Sequence, residues 1–224
     1  MTSYTRYAVY YLPPKGDLAD FGAAWLGWDV ALGQKVAHFA DVAGLGPAVA
    51  TPQKYGFHAT LKPPFRLADG CTLADLRDAL AGVAAATPAA LAPGLQLARL
   101  GRFLALVPQG DGADIGRVAA AMVQGLDRFR APALPAELAR RRAAGLTPRQ
   151  DQLLVQWGYP YVMEAFRFHL TLSGKLPPEA LELLEQAAAR LLPPLPQPFA
   201  LAEVALLGER DDKMFELIER FALA

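Results

Sequence analysis

The chain is expected to be α+β, with two pseudo-symmetric lobes whose antiparallel sheets form a central cleft and whose helices pack outside. Two heptapeptides carry this reading. Residues 55–61 are Tyr-Gly-Phe-His-Ala-Thr-Leu, and residues 166–172 are Phe-Arg-Phe-His-Leu-Thr-Leu. Both copies follow aromatic-x-Phe-His-x-Thr-Leu, and they contain two of the 3 histidines in 224 residues. Each copy alternates apolar and polar residues with period two, as a half-buried strand does. A helical pattern follows each copy, so a strand-then-helix unit occurs in both halves.

The elements follow in order. Residues 6–12, RYAVYYL, are β-branched and aromatic and stop at Pro13-Pro14, which predicts a strand. Asp17 is placed to cap a helix from Leu18 to Leu26. Trp25, Trp28, Val36 and Phe39 suggest that an apolar helical face continues beyond it. Residues 44–53, with Gly44, Gly46, Pro47 and Pro52, predict a loop. A strand is expected over 54–62, ended by Pro63-Pro64. Thr72 caps a helix to about Ala86, carried by Leu73, Leu76, Leu80 and Val83. Residues 95–100 and 102–107 form a hairpin at Gly101, and 112–130 read as helix. The irregular stretch 131–165 holds two helical pieces, 135–143 and 148–157, and is expected to be an insertion or flap beside the site. The second motif strand spans 166–173, and Pro178 opens a helix to about Leu192. Two last strands are expected over 199–207 and 214–221. The whole of 1–224 is read as one domain, with motif one at 55–62 and motif two at 166–173.

Composition narrows the function. Hydrophobic residues are 53% and charged residues 20%, the balance of a soluble globular chain. No stretch reaches the roughly 18–20 apolar residues of a membrane span, and the N-terminal residues lack a secretory pattern. A cytoplasmic protein with no membrane partner is expected. The single cysteine, Cys71, excludes an internal disulfide and a cysteine-built zinc cluster. Lys plus Arg and Asp plus Glu both number 22, so no overall field draws in nucleic acid.

In a strand, residues i and i+2 face the same way. His58 and Thr60 therefore share one side, and so do His169 and Thr171. Two imidazoles flanking one substrate suit an in-line displacement at phosphorus. The neutral one takes a proton from the nucleophile, and the charged one gives a proton to the leaving oxygen. The hydroxyls can donate to non-bridging phosphate oxygens. Such a site works by positioning and charge stabilisation, and no metal ligand set is visible beside either motif. The partner is then a small-molecule phosphate ester.

Paired His-x-Thr units on strands are the signature of the 2H phosphoesterase superfamily, which this chain resembles. The words YGFHATLKPPF (55–65), WGYPYV (157–162) and FRFHLTLSG (166–174) are similar to a phosphonate-operon-associated branch of unknown function. The resemblance implies a bilobal fold, no cofactor, and His58, Thr60, His169 and Thr171 as the catalytic set. It also implies a cyclic phosphodiesterase. It does not give the substrate; only the operon association of that branch points to a sugar cyclic phosphate.

Around that set, Lys62 and Ser173 fall on the motif side of their strands and are candidates for substrate contact, Lys62 against the alternative of a solvated strand end. On the first strand either Tyr10 or the pair Tyr7 and Tyr11 on its opposite side lines the cleft, and Tyr161 beside the second motif is a further candidate. Arg142, in the run Arg140-Arg141-Arg142, is a candidate for a second phosphate or for RNA, against the alternative of a solvated helix face. Tyr55 falls on the core side by strict alternation, and Trp157, Tyr159 and Tyr161 either cap a ligand or anchor the insertion. Two other functions compete with the first. One is RNA processing at 2′,3′-cyclic ends, which zero net charge disfavours. The other is phosphate-ligand binding without turnover. The sequence does not set which histidine is the base, or the oligomeric state.

Overall fold

The structure, a computed structural model, describes residues 4–224. The order begins with strand β1 (Arg6–Tyr11), helix α1 (Asp17–Leu26) and a small hairpin, β2 (Trp28–Asp29) with β3 (Gln34–Lys35). Helix α2 (Leu45–Gln53), strand β4 (Ala59–Phe65) and helix α3 (Leu73–Ala85) follow. Next come β5 (Ala90–Ala92), the hairpin of β6 (Leu95–Leu100) and β7 (Phe103–Pro108), and helix α4 (Ala113–Gly125). Helices α5 (Pro135–Arg142) and α6 (Pro148–Trp157) precede β8 (Leu170–Thr171) and α7 (Pro178–Leu191). Strands β9 (Phe199–Leu201), β10 (Glu203–Glu209) and β11 (Phe215–Ala222) complete the order.

Seven strands form one antiparallel sheet in the order β11-β10-β1-β4-β8-β7-β6. Its middle is thin. Strands β4 and β8 share the single pair Ala59–Leu170, whereas β6 and β7 pair all the way from Leu95–Pro108 to Leu100–Phe103. The α+β class therefore holds, and two antiparallel halves meet at a narrow joint that carries both motifs.

One face of the sheet is covered by helices. Val9, Ala59, Leu170 and Leu206 enter one core with Trp25 of α1, Leu76 and Leu80 of α3, Met122 of α4 and Leu184 of α7. Each fully buried leucine stabilises the fold by roughly 1.5–3 kcal/mol. Helix α3 carries the expected cap, a reciprocal pair between Thr72 and Asp75. On β1 the alternate residues Ala8 and Tyr10 join a smaller cluster with Trp28, Val30 and Phe215. Beyond that cluster a cleft opens over the outer face of β4 and β8, flanked by residues of α2 and α5. Among the described residues, no helix is long and apolar enough to cross a membrane.

Four elements differ from expectation. The aromatic spacing after α1 does not continue a helix, because Gly27 ends it at φ 74° and the chain turns into the β2–β3 hairpin. There Trp28 donates from Nε1 to the Phe215 carbonyl at 2.8 Å. Residues 45–53 are helix rather than loop. Pro47 sits in the first turn, where its missing N–H costs little, and Leu45 and Val49 are buried. Strand β4 starts at Ala59 rather than 54 and runs through Pro63 and Pro64. Those prolines are tolerated because β8 pairs only at Ala59, leaving no ladder bond for them to donate on that side. Strand β8 is only two residues long and pairs with β7 at Leu106–Leu170 and Ala105–Thr171.

Candidate active site

The joint sets the geometry. In an antiparallel pair whose centre is Ala59–Leu170, His58 lies opposite Thr171 and Thr60 opposite His169. The two motifs thus cross about a local two-fold axis. Ala59 and Leu170 point into the core, so the histidine and threonine positions lie on the other face.

Each histidine is oriented in the same way. His58 Nδ1–H donates to the Gly56 carbonyl at 2.8 Å, and His169 Nδ1–H donates to the Arg167 carbonyl at 2.7 Å. A carbonyl only accepts, so Nδ1 carries the proton and Nε2 is left for chemistry in both rings. His58 Nε2 lies 3.1 Å from the Thr60 hydroxyl. Tyr10 stacks on the His58 ring with centroids 3.9 Å apart and planes 24° apart. This packing leaves His58 only 8% exposed. Burial lowers its pKa to about 4, the Gly56 carbonyl opposes that, and a charge on His169 lowers it further. His169 is half-buried beside Phe103, ring centroids 5.8 Å apart. Burial lowers its pKa too, against the Arg167 carbonyl.

A cleft of about 530 Å³ lies over this face. His58, Thr60 and Thr171 line it, with Tyr10 and Ser173, whereas His169 is not among the lining residues and sits at its side against Phe103. The five outlying candidates divide. Tyr10 reaches the cleft, but its ring is committed to His58. Ser173 also reaches it, yet its hydroxyl accepts from Leu104 N–H and donates to the Gly174 carbonyl, both at 2.9 Å.

Lys62 is not in the cleft. Tyr10 pairs with Thr60 and Val9 with Lys62, so Leu61 is an extra residue, a bulge that reverses the alternation. Lys62 therefore follows Val9 to the helix side and is 2% exposed. Its ammonium donates to the Val123 carbonyl in the last turn of α4 at 3.1 Å and lies 3.9 Å from Asp127. Its role is to cap a helix end. Tyr161 is also outside the cleft and 45% exposed, set edge-on to Tyr159. Arg142 points elsewhere and is paired to Asp151, Nε to Oδ1, at 2.6 Å.

Their neighbours take those places. Arg6, Lys54, Tyr55, Tyr159, Arg140 and Arg141 line the cleft. Tyr55 leaves the core side because the chain turns at Gly56, φ 71°, before the strand begins. Arg6 shares the β1 face of Tyr10, a parity that alternation alone would have given. For the arginine run, sequence gives no signal, because successive helix positions differ by about 100° and only tertiary packing chooses among them. Trp157 packs against a small cluster of Val123, Leu153 and Val162. Among the described residues, no three His, Cys, Asp or Glu side chains gather as a metal site.

Comparison with known proteins adds a family and relatives. The family described as "Protein of unknown function (DUF1045)" matches residues 60–216. A ribose 1,5-bisphosphate phosphokinase PhnN of Janthinobacterium sp. (strain Marseille) is 40% identical over 180 residues, 78% of this chain and 40% of that protein. Its namesake from Laribacter hongkongensis (strain HLHK9) is 38% identical over 176 residues, 76% of this chain and 40% of that protein. The chain thus spans 40% of the length of these curated relatives. A solved structure titled as a phosphoesterase aligns over 99% of both chains at 15% identity, with a TM-score of 0.45.

Proposed function

We propose, for a chain that belongs to the DUF1045 family of proteins of unknown function, a metal-independent phosphodiesterase that opens a small cyclic phosphate between two histidines. The observation that carries this is the Ala59–Leu170 pair, which sets each His-x-Thr unit against the other with both Nδ1 atoms tied to carbonyls.

Water attacks phosphorus, and the new O–P bond forms as the P–O bond to the leaving sugar oxygen breaks. His58 is the base, since burial keeps it neutral at pH 7 and its Nε2, which accepts from the Thr60 hydroxyl at 3.1 Å in the free protein, takes the proton of water once that hydroxyl turns to the phosphate. His169 is the acid and gives its Nε2 proton to the departing oxygen. Its pKa is lowered in the free protein, and the arriving phosphate anion raises it again. Thr60 and Thr171 donate to the non-bridging oxygens as charge builds there. A sugar phosphate is the favoured ligand class. The resemblance to a phosphonate-linked branch supports it, and the curated relatives are named for a kinase of ribose 1,5-bisphosphate. Work in the cytoplasm belongs to the same proposal.

The test is a panel of sugar and nucleoside cyclic phosphates assayed in EDTA. Turnover is expected to persist in chelator and to fall by about 10²–10⁴-fold in His58→Ala and in His169→Ala. The wild-type kcat/KM profile is expected to be bell-shaped with its maximum below neutral, because both rings titrate below the usual 6.5. Activity surviving in either variant removes the reading.

A further inference from the structure

We propose that Arg140 and Arg141 of α5, with Lys54, form a second anion site at the mouth of the cleft, and that it holds a terminal phosphate of the substrate. This rests on the phosphodiesterase reading and specifies its substrate: a cyclic phosphate that carries a second, phosphomonoester group.

Charge is the first argument. The chain as a whole is neutral, yet the cleft is lined by Arg6, Lys54, Arg140 and Arg141 and, among the described residues, by no carboxylate. Arg6 is already neutralised by a two-pronged bond to Glu209, at 2.6 and 2.5 Å. Lys54, Arg140 and Arg141 have no ion-pair partner among the described residues, whereas the adjacent Arg142 is paired to Asp151. The nearest acid on α5, Glu137, feels Arg140, but its carboxylate accepts from Leu134 N–H and from Arg66. Uncompensated cations turned into a concavity attract a dianion strongly.

The aromatic rings favour phosphate over the other obvious occupant, a nucleobase. Lys54 sits 4.8 Å over the Tyr55 ring, and Arg141 sits 4.6 Å over the Tyr159 ring. Tyr55 also meets Phe215, and Tyr159 meets Tyr161, so each ring is already engaged by a cation and by a second aromatic. The tyrosines hold the cations in place instead. A cleft of about 530 Å³ exceeds what one cyclic phosphate needs and suits a phosphorylated sugar.

The test is calorimetric titration of the full chain with a pentose monophosphate and with pentose 1,5-bisphosphate at fixed ionic strength. The wild type is expected to prefer the bisphosphate by about tenfold or more. The preference is expected to collapse in Arg140→Gln/Arg141→Gln and to persist in His58→Ala/His169→Ala. Equal binding of the two ligands by the wild type overturns the proposal without the aid of any variant. So does a preference that survives loss of both arginines, or tighter binding of an oligoribonucleotide than of the bisphosphate. If the arginine-dependent preference stands while no cyclic phosphate is turned over, the anion site holds and the catalytic reading falls.

Discussion

His58 and Lys62 lie four positions apart, and both are buried, yet they do different work. His58 is packed under Tyr10 so that it stays uncharged while Nε2 faces the cleft. Lys62 is turned to the opposite face by one extra residue and serves α4. Burial lowers the Lys62 pKa to about 8, partly offset by Asp127. The unfolded chain binds this proton up to about pH 10.5 and the folded chain only up to about 8, so the group favours folding increasingly as pH rises between those values. The difference amounts to roughly 3 kcal/mol. Lys62→Met is therefore expected to lose that rise in stability relative to wild type, measured by denaturant melts from pH 7 to 10.5, and to keep its turnover. A variant with normal stability slope and lost activity would return Lys62 to the cleft. The pairing of the two His-x-Thr units across one joint is legible because duplication is a signal that sequence carries by itself. Lys62 was misread because a bulge leaves no trace in an alternating pattern.

At the scale of elements, helices with strong apolar spacing or a cap were legible, as Thr72 and Asp75 at α3 illustrate. The segments around the motifs were not. Helix α2 is rich in proline and glycine and forms because Leu45 and Val49 are buried against the core, which is a tertiary effect. The turn before β4 depends on Gly56. Its φ is 71°, and a Cβ there would lie 2.3 Å from Val30 Cβ. The Gly56 carbonyl also orients His58. Gly56→Ala is expected to cost about 1–3 kcal/mol in a melt and to lower turnover. Gly101→Ala is the control, since its φ of 61° is also positive but nothing lies within 4 Å. If both substitutions cost the same, the close approach to Val30 is not what constrains the turn.

Across the whole molecule, the two halves of the sheet depend on a thin seam, and other contacts brace it. Trp25 of α1 donates from Nε1 to the Leu172 carbonyl at 2.7 Å, tying a first-half helix to the second motif. Leu172 N–H in turn donates to the Leu104 carbonyl at 2.8 Å. These contacts hold the imidazole positions in register from opposite ends of the chain. Arg140, Arg141 and Tyr159 of the irregular segment 131–165 line the cleft, and which arginines of the run face it is not legible, since helical spacing alone does not choose among them.

The account stands on the claim that both imidazoles address a single phosphorus. A crystal structure with inorganic vanadate, which mimics phosphorus in mid-displacement, tests it directly. We expect one vanadium centre with Nε2 of His58 and Nε2 of His169 each about 3 Å from its oxygens on opposite sides. An ion held by one histidine alone, with the other ring turned away, would contradict it.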